Sequence, residues 1–374
     1  MIIKELKLRN FRNYDTCTVQ FDKDCNILLG QNAQGKTNIL ESLVFLSTTR
    51  SHRLQYDQQM IQEGKELCNI ECTFFDERDR KIGAVIHSKG KTLLINQQPV
   101  SKSSDFIGKL NVLLFSPSDL EIFDDSPKER RRLIDIEIGK VSSNYMFHLS
   151  RYLKLLKERN SMLKMNRFDD AYLVVLENQM IESQIEILVE RKKFIDSCNL
   201  YLSEKYERLS DQKCELKISY HSCVEIKDKE VMHQEFRNLY DKNREKDIQF
   251  KVTSIGVHRD DCSFEMDGKR VELFCSQGQK RMVVLALKFS LVEYIKNQLH
   301  KTPVLLLDDV LSELDHKKRY NLLKCLDGDI QTILTTTEIL EDFNELKNKP
   351  KVFEVENGII KTKEDMQWQI WKTK

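Results

Sequence analysis

The segment Gly30-Gln31-Asn32-Ala33-Gln34-Gly35-Lys36-Thr37 constrains this chain more than any other. An apolar run, Cys25–Leu29, precedes it, and a helical pattern, Asn38–Leu46, follows. In a strand–loop–helix of this kind the two glycines let the backbone curl so that successive N–H groups point inward. The positive end of the helix completes a phosphate cradle. Lys36 is placed to reach the β- and γ-phosphates, and Thr37 to offer its hydroxyl to Mg²⁺. All eight residues are assigned to the nucleotide. Guanine recognition requires an Asn-Lys-x-Asp segment; the nearest string, Asn348-Lys349-Pro350-Lys351, lacks the acid. ATP is favoured.

Two further segments fit beside this loop. Leu305-Leu306-Leu307-Asp308-Asp309 is a continuous apolar run, the pattern of a strand buried on both faces, ending in two carboxylates. Ligands sit at the carboxyl ends of such strands. Asp308 is the natural partner of the Mg²⁺ held by Thr37, and Asp309 is placed to polarise an attacking water. Lys36, Asp308 and Asp309 form the catalytic set. Upstream, Ser276-Gln277-Gly278-Gln279-Lys280-Arg281 opens a helix that reaches Leu299. A serine there is ordinarily an N-cap; its order after a P-loop and before Leu-Leu-Asp-Asp gives it a second reading.

Composition removes several classes. With 60 Lys+Arg against 59 Asp+Glu the net charge is +1, so any nucleic acid must be held by a local patch. The ten cysteines contain no CxxC pair and no Cys/His cluster, which argues against zinc and reads as a reduced, cytoplasmic chain. The opening MIIKELKLRNFRNY is too charged for a signal peptide. The longest apolar stretch, Met282–Val292, is broken by Lys288 and falls short of the ~20 residues that span a bilayer. No membrane association is expected.

Three regions follow along the chain. Residues 1–119 carry short β-type runs: Ile2–Leu8, Cys25–Leu29, Cys68–Phe75, Lys81–His87 and Val112–Phe115. Residues 120–212 read as long helices. Residues 213–374 return to strands at Glu215–Tyr220, Cys262–Met266 and Arg270–Phe274, then a helix over 277–299 and a strand at Pro303–Leu307. Asp267-Gly268 is a hairpin signal. Leu173, Met180, Ile187, Phe194 and Tyr201 recur every seven residues, but Ser183, Glu190 and Ser197 spoil the second apolar position of a coiled coil. An antiparallel helical hairpin packing back on 127–165 is predicted.

Taken in order, P-loop, Ser-Gln-Gly-Gln, Leu-Leu-Asp-Asp and Ser312-Glu313-Leu314-Asp315 resemble the ABC-type ATPase heads of the SMC/Rad50 group, and within it the bacterial recombination-repair members. Leu8-Arg9-Asn10-Phe11-Arg12-Asn13-Tyr14, Phe115-Ser116-Pro117-Ser118-Asp119-Leu120 and Gly256-Val257-His258-Arg259-Asp260-Asp261 carry the likeness through most of the chain. The resemblance implies an α/β P-loop head with mixed sheets. Residues 1–119 and 213–374 form its two parts, and 120–212 form an inserted short helical arm. It also implies that Ser276, Gln277, Gly278 and Gln279 cover the γ-phosphate held by a second copy, so that ATP joins a homodimer, and that Asp315 couples the two sites. Slow hydrolysis, stimulated by DNA, then releases the pair.

The chain departs from related heads in three places. Transporter-type heads carry Glu where Asp309 stands. The magnesium-sensing Gln has no counterpart in Leu114–Asp119. Thr335-Thr336-Thr337 replaces the switch His, which makes Thr337 the candidate γ-phosphate sensor. His258, Arg259 and Asp260 are expected to brace the signature region or the dimer face.

The resemblance further implies clamping of DNA at gaps or single-strand/double-strand junctions in repair, replication and the SOS response. It implies help with recombinase loading alongside mediator proteins such as RecR and RecO. Phosphate contacts need Lys and Arg. The candidates are Arg50, His52 and Arg53, then Lys128 with Arg130, Arg131 and Arg132, then Arg151, Lys154, Lys157 and Arg159 on the arm. The alternative is a P-loop phosphotransferase whose middle region is a substrate lid.

Overall fold

A computed structural model describes residues 1–124, 126–165, 169–326, 330–339 and 341–363. It divides into two compact units. The first holds Met1–Asp119, Glu207–Gln212 and the chain from Ile295 onward; the second holds Leu120–Tyr206 and Lys213–Tyr294.

The first unit is two six-stranded sheets around one helix. One sheet is ordered Ile359–Thr362, Lys351–Glu356, Cys25–Leu29, Thr332–Thr336, Val304–Leu307, Val112–Phe115. Every neighbouring pair in it is parallel except the first. The other sheet is antiparallel and ordered Tyr14–Gln20, Ile2–Phe11, Leu67–Asp76, Arg78–His87, Gly90–Ile95, Gln98–Pro99. The P-loop helix, Lys36–Thr48, lies between them. Its Ile39, Leu40, Leu43 and Phe45 share a core with Leu6, Ile70 and Ile82 from one sheet and Leu28, Leu306 and Ile333 from the other. A helix buried all round needs apolar residues on every face, and Ile39–Leu46 supplies them. Val304–Leu307 is buried at all four positions, as its continuous hydrophobicity predicts.

The second unit joins helices Pro127–Val141, Ser143–Leu163 and Lys229–Phe250 and most of Asp170–Ser210 to a three-stranded sheet. Leu173, Met180, Ile187 and Phe194 are buried. Ion pairs Arg151–Glu182 and Arg159–Glu177 run the 143–163 and 170–210 helices antiparallel, as the hairpin reading requires. Polar residues of the long helix are buried as well, although Glu190 and Ser197 are only partly buried. Glu177, Ser183, Gln184 and Arg191 meet partners on other elements or in their own turn, because the 229–250 helix covers a second face.

Several expectations are corrected. Residues 213–294, assigned from sequence to the head, group with the helical unit, since their sheet packs on Pro127–Val141 and their helix on the long pair. That helix, Lys229–Phe250, falls in a region read as strands. It buries only Met232, Phe236, Tyr240 and Asp247, too sparse a stripe to stand out. The predicted strand Arg270–Phe274 is strand only at Lys269–Arg270 and helical over Val271–Phe274. The hairpin ahead of it forms, with Asp267 (φ 50°) and Gly268 (φ 75°) both left-handed, as a type I′ turn demands. Among the described residues no helix is long and apolar enough to cross a membrane.

Candidate nucleotide site

The P-loop leaves the middle of the mixed sheet and is held by close contacts that admit only glycine at two positions. Gly30 N–H donates to Thr336 O at 3.2 Å, and a Cβ on Gly30 would stand 2.3 Å from Val355 O. Gly35 has φ 117°, and its Cβ would meet the Asn13 side chain and the Tyr14 hydroxyl within 3 Å. Lys36 turns back into the loop, donating to Gly30 O at 2.6 Å and Gln31 O at 2.9 Å. Burial lowers its pKa, and the carboxylates of Asp309 and Asp308 oppose that shift. A partly desolvated ammonium ringed by carbonyls is poised to exchange them for phosphate oxygens.

The carboxylate strand delivers Asp308 to the same place. Leu307 pairs in register with Phe115 on one side and Leu334 on the other, so the next residues, Asp308 and Thr335, emerge together. Asp308 Oδ1 accepts from Thr37 Oγ1 and from Thr335 Oγ1, each at 2.9 Å. Asp309 turns out of the strand with φ 52°, its N–H donating to Thr335 Oγ1 at 2.9 Å. These groups open on a cleft of about 630 Å³ that includes Asn32, Ala33, Gly35, Lys36, Thr37, Asp308 and Asp309. That is an ordinary size for a small-molecule site.

The far wall was not assigned from sequence. Arg12, Asn13, Asn38, Arg53, Gln59, Ile61, Pro117 and Thr335 also line the cleft. Asn13 Nδ2 donates to Gln34 O at 2.9 Å while its Oδ1 accepts from Asn38 Nδ2 at 2.9 Å. On the other side of Gln34, Gly358 N–H reaches its carbonyl at 3.2 Å and Asn357 N–H its side-chain oxygen at 2.6 Å. Arg12 pairs with the fully buried Glu41 at 2.9 Å. The signal was present in the opening string, where Arg12 and Asn13 sit, but nothing in a charged turn announces which loop it will meet.

Thr337 lies just beyond the strand Thr332–Thr336 and does not line the cleft; Thr335 occupies the place beside Asp308. Asp315 is exposed and caps the helix His316–Leu326: its Oδ1 accepts from Lys318 N–H at 2.9 Å, and Lys318 Nζ stands 2.7 Å from Oδ2.

In the second unit, Ser276 and Gln279 cap the helix Gln277–Leu299 reciprocally, Ser276 N–H to Gln279 Oε1 at 2.9 Å and Gln279 N–H to Ser276 Oγ at 3.3 Å. Ser276, Gln277 and Gly278 are exposed. A Cβ on Gly278 would find nothing closer than Ser276 Oγ at 4.0 Å, so that helix end is open to a ligand.

His258 is neutral and structural in its contacts. Its Nδ1 takes the Tyr152 hydroxyl at 2.6 Å, its Nε2 faces Thr253 O at 3.1 Å, and burial lowers its pKa to about 4. Asp260 accepts from Tyr220 at 2.6 Å, with Arg191 at 3.6 Å, and burial raises it to about 6.

The candidate DNA residues scatter. Arg130 forms a bidentate pair with Asp261 at 2.7 and 2.9 Å, and Arg131 donates to Asp260 O at 2.6 Å, because consecutive helical residues face different neighbours. Arg132 is exposed, beside Glu129. Arg159 is fully buried between Glu177 and Asp247, with no surface for a phosphate. Arg53 lines the nucleotide cleft, Arg50 is exposed, and burial lowers the pKa of His52 against the pull of Glu41 and Asp308.

The model of the RecF/RecN/SMC N-terminal domain matches residues 2–361. The DNA replication and repair protein RecF of Streptococcus gordonii is 39% identical, over 96% of this chain and all of its own. This chain belongs to the RecF family. The RecF of Lachnoclostridium phytofermentans is likewise 39% identical, over 96% of this chain and 99% of its own. A solved structure of the recombination mediator protein RecF with ATP, in the RecFOR pathway, is 28% identical over 96% of this chain and 97% of that one, with a TM-score of 0.89. The Smc head domain of Pyrococcus furiosus superposes at a TM-score of 0.57 and 16% identity, which establishes the shared ABC-type head fold. RecF membership also accounts for the strings that carried the resemblance.

Proposed function

We propose that this RecF-family chain is an ATP-gated DNA-binding protein of replication and recombinational repair, whose ATP-bound form is a homodimer. The convergence of Thr37, Thr335 and Asp308 at the mouth of the P-loop carries the reading. It places two hard oxygens, Thr37 Oγ1 and Asp308 Oδ1, 2.9 Å apart. Adjacent ligands of an octahedral Mg²⁺ stand about 3 Å apart, so the pair fits that ion. When bound, Mg²⁺ neutralises charge on the β- and γ-phosphates.

Each residue then has a task. Lys36 releases its carbonyls to pair with phosphate oxygens, and the curled backbone of Gly30–Gly35 supplies N–H donors. Thr335 fixes the Asp308 rotamer. Asp309 orients water for attack on the γ-phosphate, with slow turnover as the consequence of its short side chain. The exposed Ser276–Gly278 helix end supplies donors to the γ-phosphate of a second copy. ATP therefore favours the closed pair, and hydrolysis loosens it. Arg53, on the cleft wall, belongs to the nucleotide; Arg50, Arg132, Lys154 and Lys157 remain for the DNA backbone. Gapped DNA, and mediators such as RecR and RecO, are the partners this reading assigns.

The test is molecular mass in solution without nucleotide, with ADP and with ATP, for the wild type and for Ser276→Arg, with and without gapped DNA. A dimer seen only with ATP, binding DNA and lost in Ser276→Arg, supports the reading. A chain that binds ATP yet stays monomeric overturns it and brings the phosphotransferase forward.

A further inference from the structure

Leu273 and Phe274 are each 68% exposed and adjacent in sequence; among the described large hydrophobic residues only Leu200 is more exposed. They are held outward by their own turn. Val271 is fully buried, Cys275 N–H donates to Val271 O at 3.1 Å, and the tight Asp267-Gly268 hairpin leads in. An adjacent apolar pair held in water in this way leaves surface that a partner can bury. Their position is specific. Ser276 follows Phe274 by two residues, and two residues of chain span at most about 7 Å.

The rim of the nucleotide cleft carries an apolar counterpart. Tyr56 is 59% exposed. It opens the turn Asp57–Met60, where Gln59 N–H donates to Tyr56 O at 3.1 Å, and Gln59 and Ile61 both line the cleft. Arg12 N–H donates to Met60 O at 2.8 Å and fixes that turn against the first strand. Tyr56 therefore begins the turn whose Gln59 and Ile61 line the nucleotide cleft.

We infer that Leu273 and Phe274 form an apolar latch that packs on the Tyr56 rim of a second copy when Ser276 closes over that copy's ATP. The inference rests on the dimer reading. If Ser276 reaches the phosphate, the chain keeps the Phe274 ring within about 16 Å of it, on whatever borders the cleft. The phosphate backbone of DNA offers no apolar partner for such a pair. Two side chains leaving water on each of two symmetric contacts also make the closed dimer tighter than phosphate contacts alone.

The latch is tested with the full chain carrying p-benzoylphenylalanine at 274, mixed with isotopically labelled wild type and ATP under non-hydrolysing conditions. Mass spectrometry should find an intermolecular cross-link to the 54–61 peptide, absent with ADP. The double variant Leu273→Ser/Phe274→Ser should raise the dissociation constant of the ATP dimer at least about tenfold. Its ATP binding and melting temperature should match the wild type. An ATP dimer that is cross-linked elsewhere, or that the double variant leaves equally tight, overturns the latch and leaves the dimer standing. A wild type that remains monomeric with ATP removes both.

Discussion

Thr335 donates to Asp308 Oδ1 at 2.9 Å, the same oxygen that takes the Thr37 hydroxyl. Its own oxygen accepts the Asp309 N–H. One threonine therefore fixes the Asp308 carboxylate and the backbone of Asp309. Thr335→Val keeps the shape and removes all of this, so ATP hydrolysis should fall about 10- to 100-fold, the usual cost of losing a partner behind a metal-binding carboxylate. Thr337→Val, two residues on and off the cleft, should leave the rate within twofold. Steady-state ATPase assays across a Mg²⁺ titration check both; equal losses in the two variants would return the sensor role to Thr337.

Asp309 acts on the P-loop only through its charge on Lys36. Asp309→Asn should hold ATP with unchanged affinity and lose roughly 100-fold or more in hydrolysis, the range for removing a general base. Its ATP dimer should persist for as long as nucleotide is bound. Equilibrium dialysis beside single-turnover hydrolysis separates the two effects. A parallel loss of binding would make Asp309 part of the cradle instead.

Gly358 tests the brace behind Gln34. It has φ 76°, and a Cβ there would stand 2.2 Å from Asn13 O, whereas Gly64 has φ 78° and open space around it. Both alanine variants carry the left-handed backbone cost of about 1–2 kcal/mol. Only Gly358→Ala must also push the turn away from the P-loop. It should melt lower than Gly64→Ala and bind ATP several-fold more weakly, while Gly64→Ala keeps wild-type affinity. Thermal melts and nucleotide titrations on the pair decide it.

The P-loop, the carboxylate strand and the signature helix were legible because each is local. Cys25–Leu29, Val112–Phe115 and Gln277–Leu299 have the bounds their sequence pattern indicates. What escaped was set by tertiary partners. Thr335 gains its role only because two parallel strands share a register, and Asn13 only because a turn of the other sheet reaches Gln34. The Lys229–Phe250 helix carries many charges and hides a fully buried Asp247. The arginines of the arm misled for the same reason. A charge run states composition, and burial decides whether it meets a carboxylate or solvent.

His258 gives a pH signature. Its folded pKa, about 4, lies below the ordinary value near 6.5 because burial disfavours the imidazolium. The unfolded chain therefore takes up a proton first as pH falls. Stability from this residue is complete above pH 6.5 and is lost progressively toward pH 4, by up to roughly 3 kcal/mol. Asp260, raised to about 6, acts in the opposite sense, losing its contribution as pH rises through 6. The difference between wild type and His258→Gln isolates the histidine. Urea unfolding at pH 7 and at pH 4 should show the wild type losing about 3 kcal/mol more on acidification than the variant. Equal losses would place the proton uptake elsewhere.

Arg159 separates a structural charge from a DNA contact. It is fully buried, pairs with Glu177 and Asp247 at 2.8 Å, and donates to Thr253 at 2.8 Å. Glu177 and Asp247 are themselves fully buried; Glu177 keeps Arg237 and Arg244, but removing the guanidinium leaves Asp247 with no ion-pair partner among the described residues. Breaking a buried pair in this way costs about 3–5 kcal/mol. Arg159→Ala should therefore lower the unfolding free energy by that amount, with the 143–163, 170–210 and 229–250 helices loosening together in hydrogen exchange. Lys157→Ala, two residues away and exposed, should change stability by less than about 0.5 kcal/mol. If the arm touches DNA, the salt dependence of binding should flatten by about one phosphate contact in Lys157→Ala. A stable Arg159→Ala chain with weakened DNA binding would reverse the assignment, since only a residue that the fold does not depend on can be lost without destabilising it.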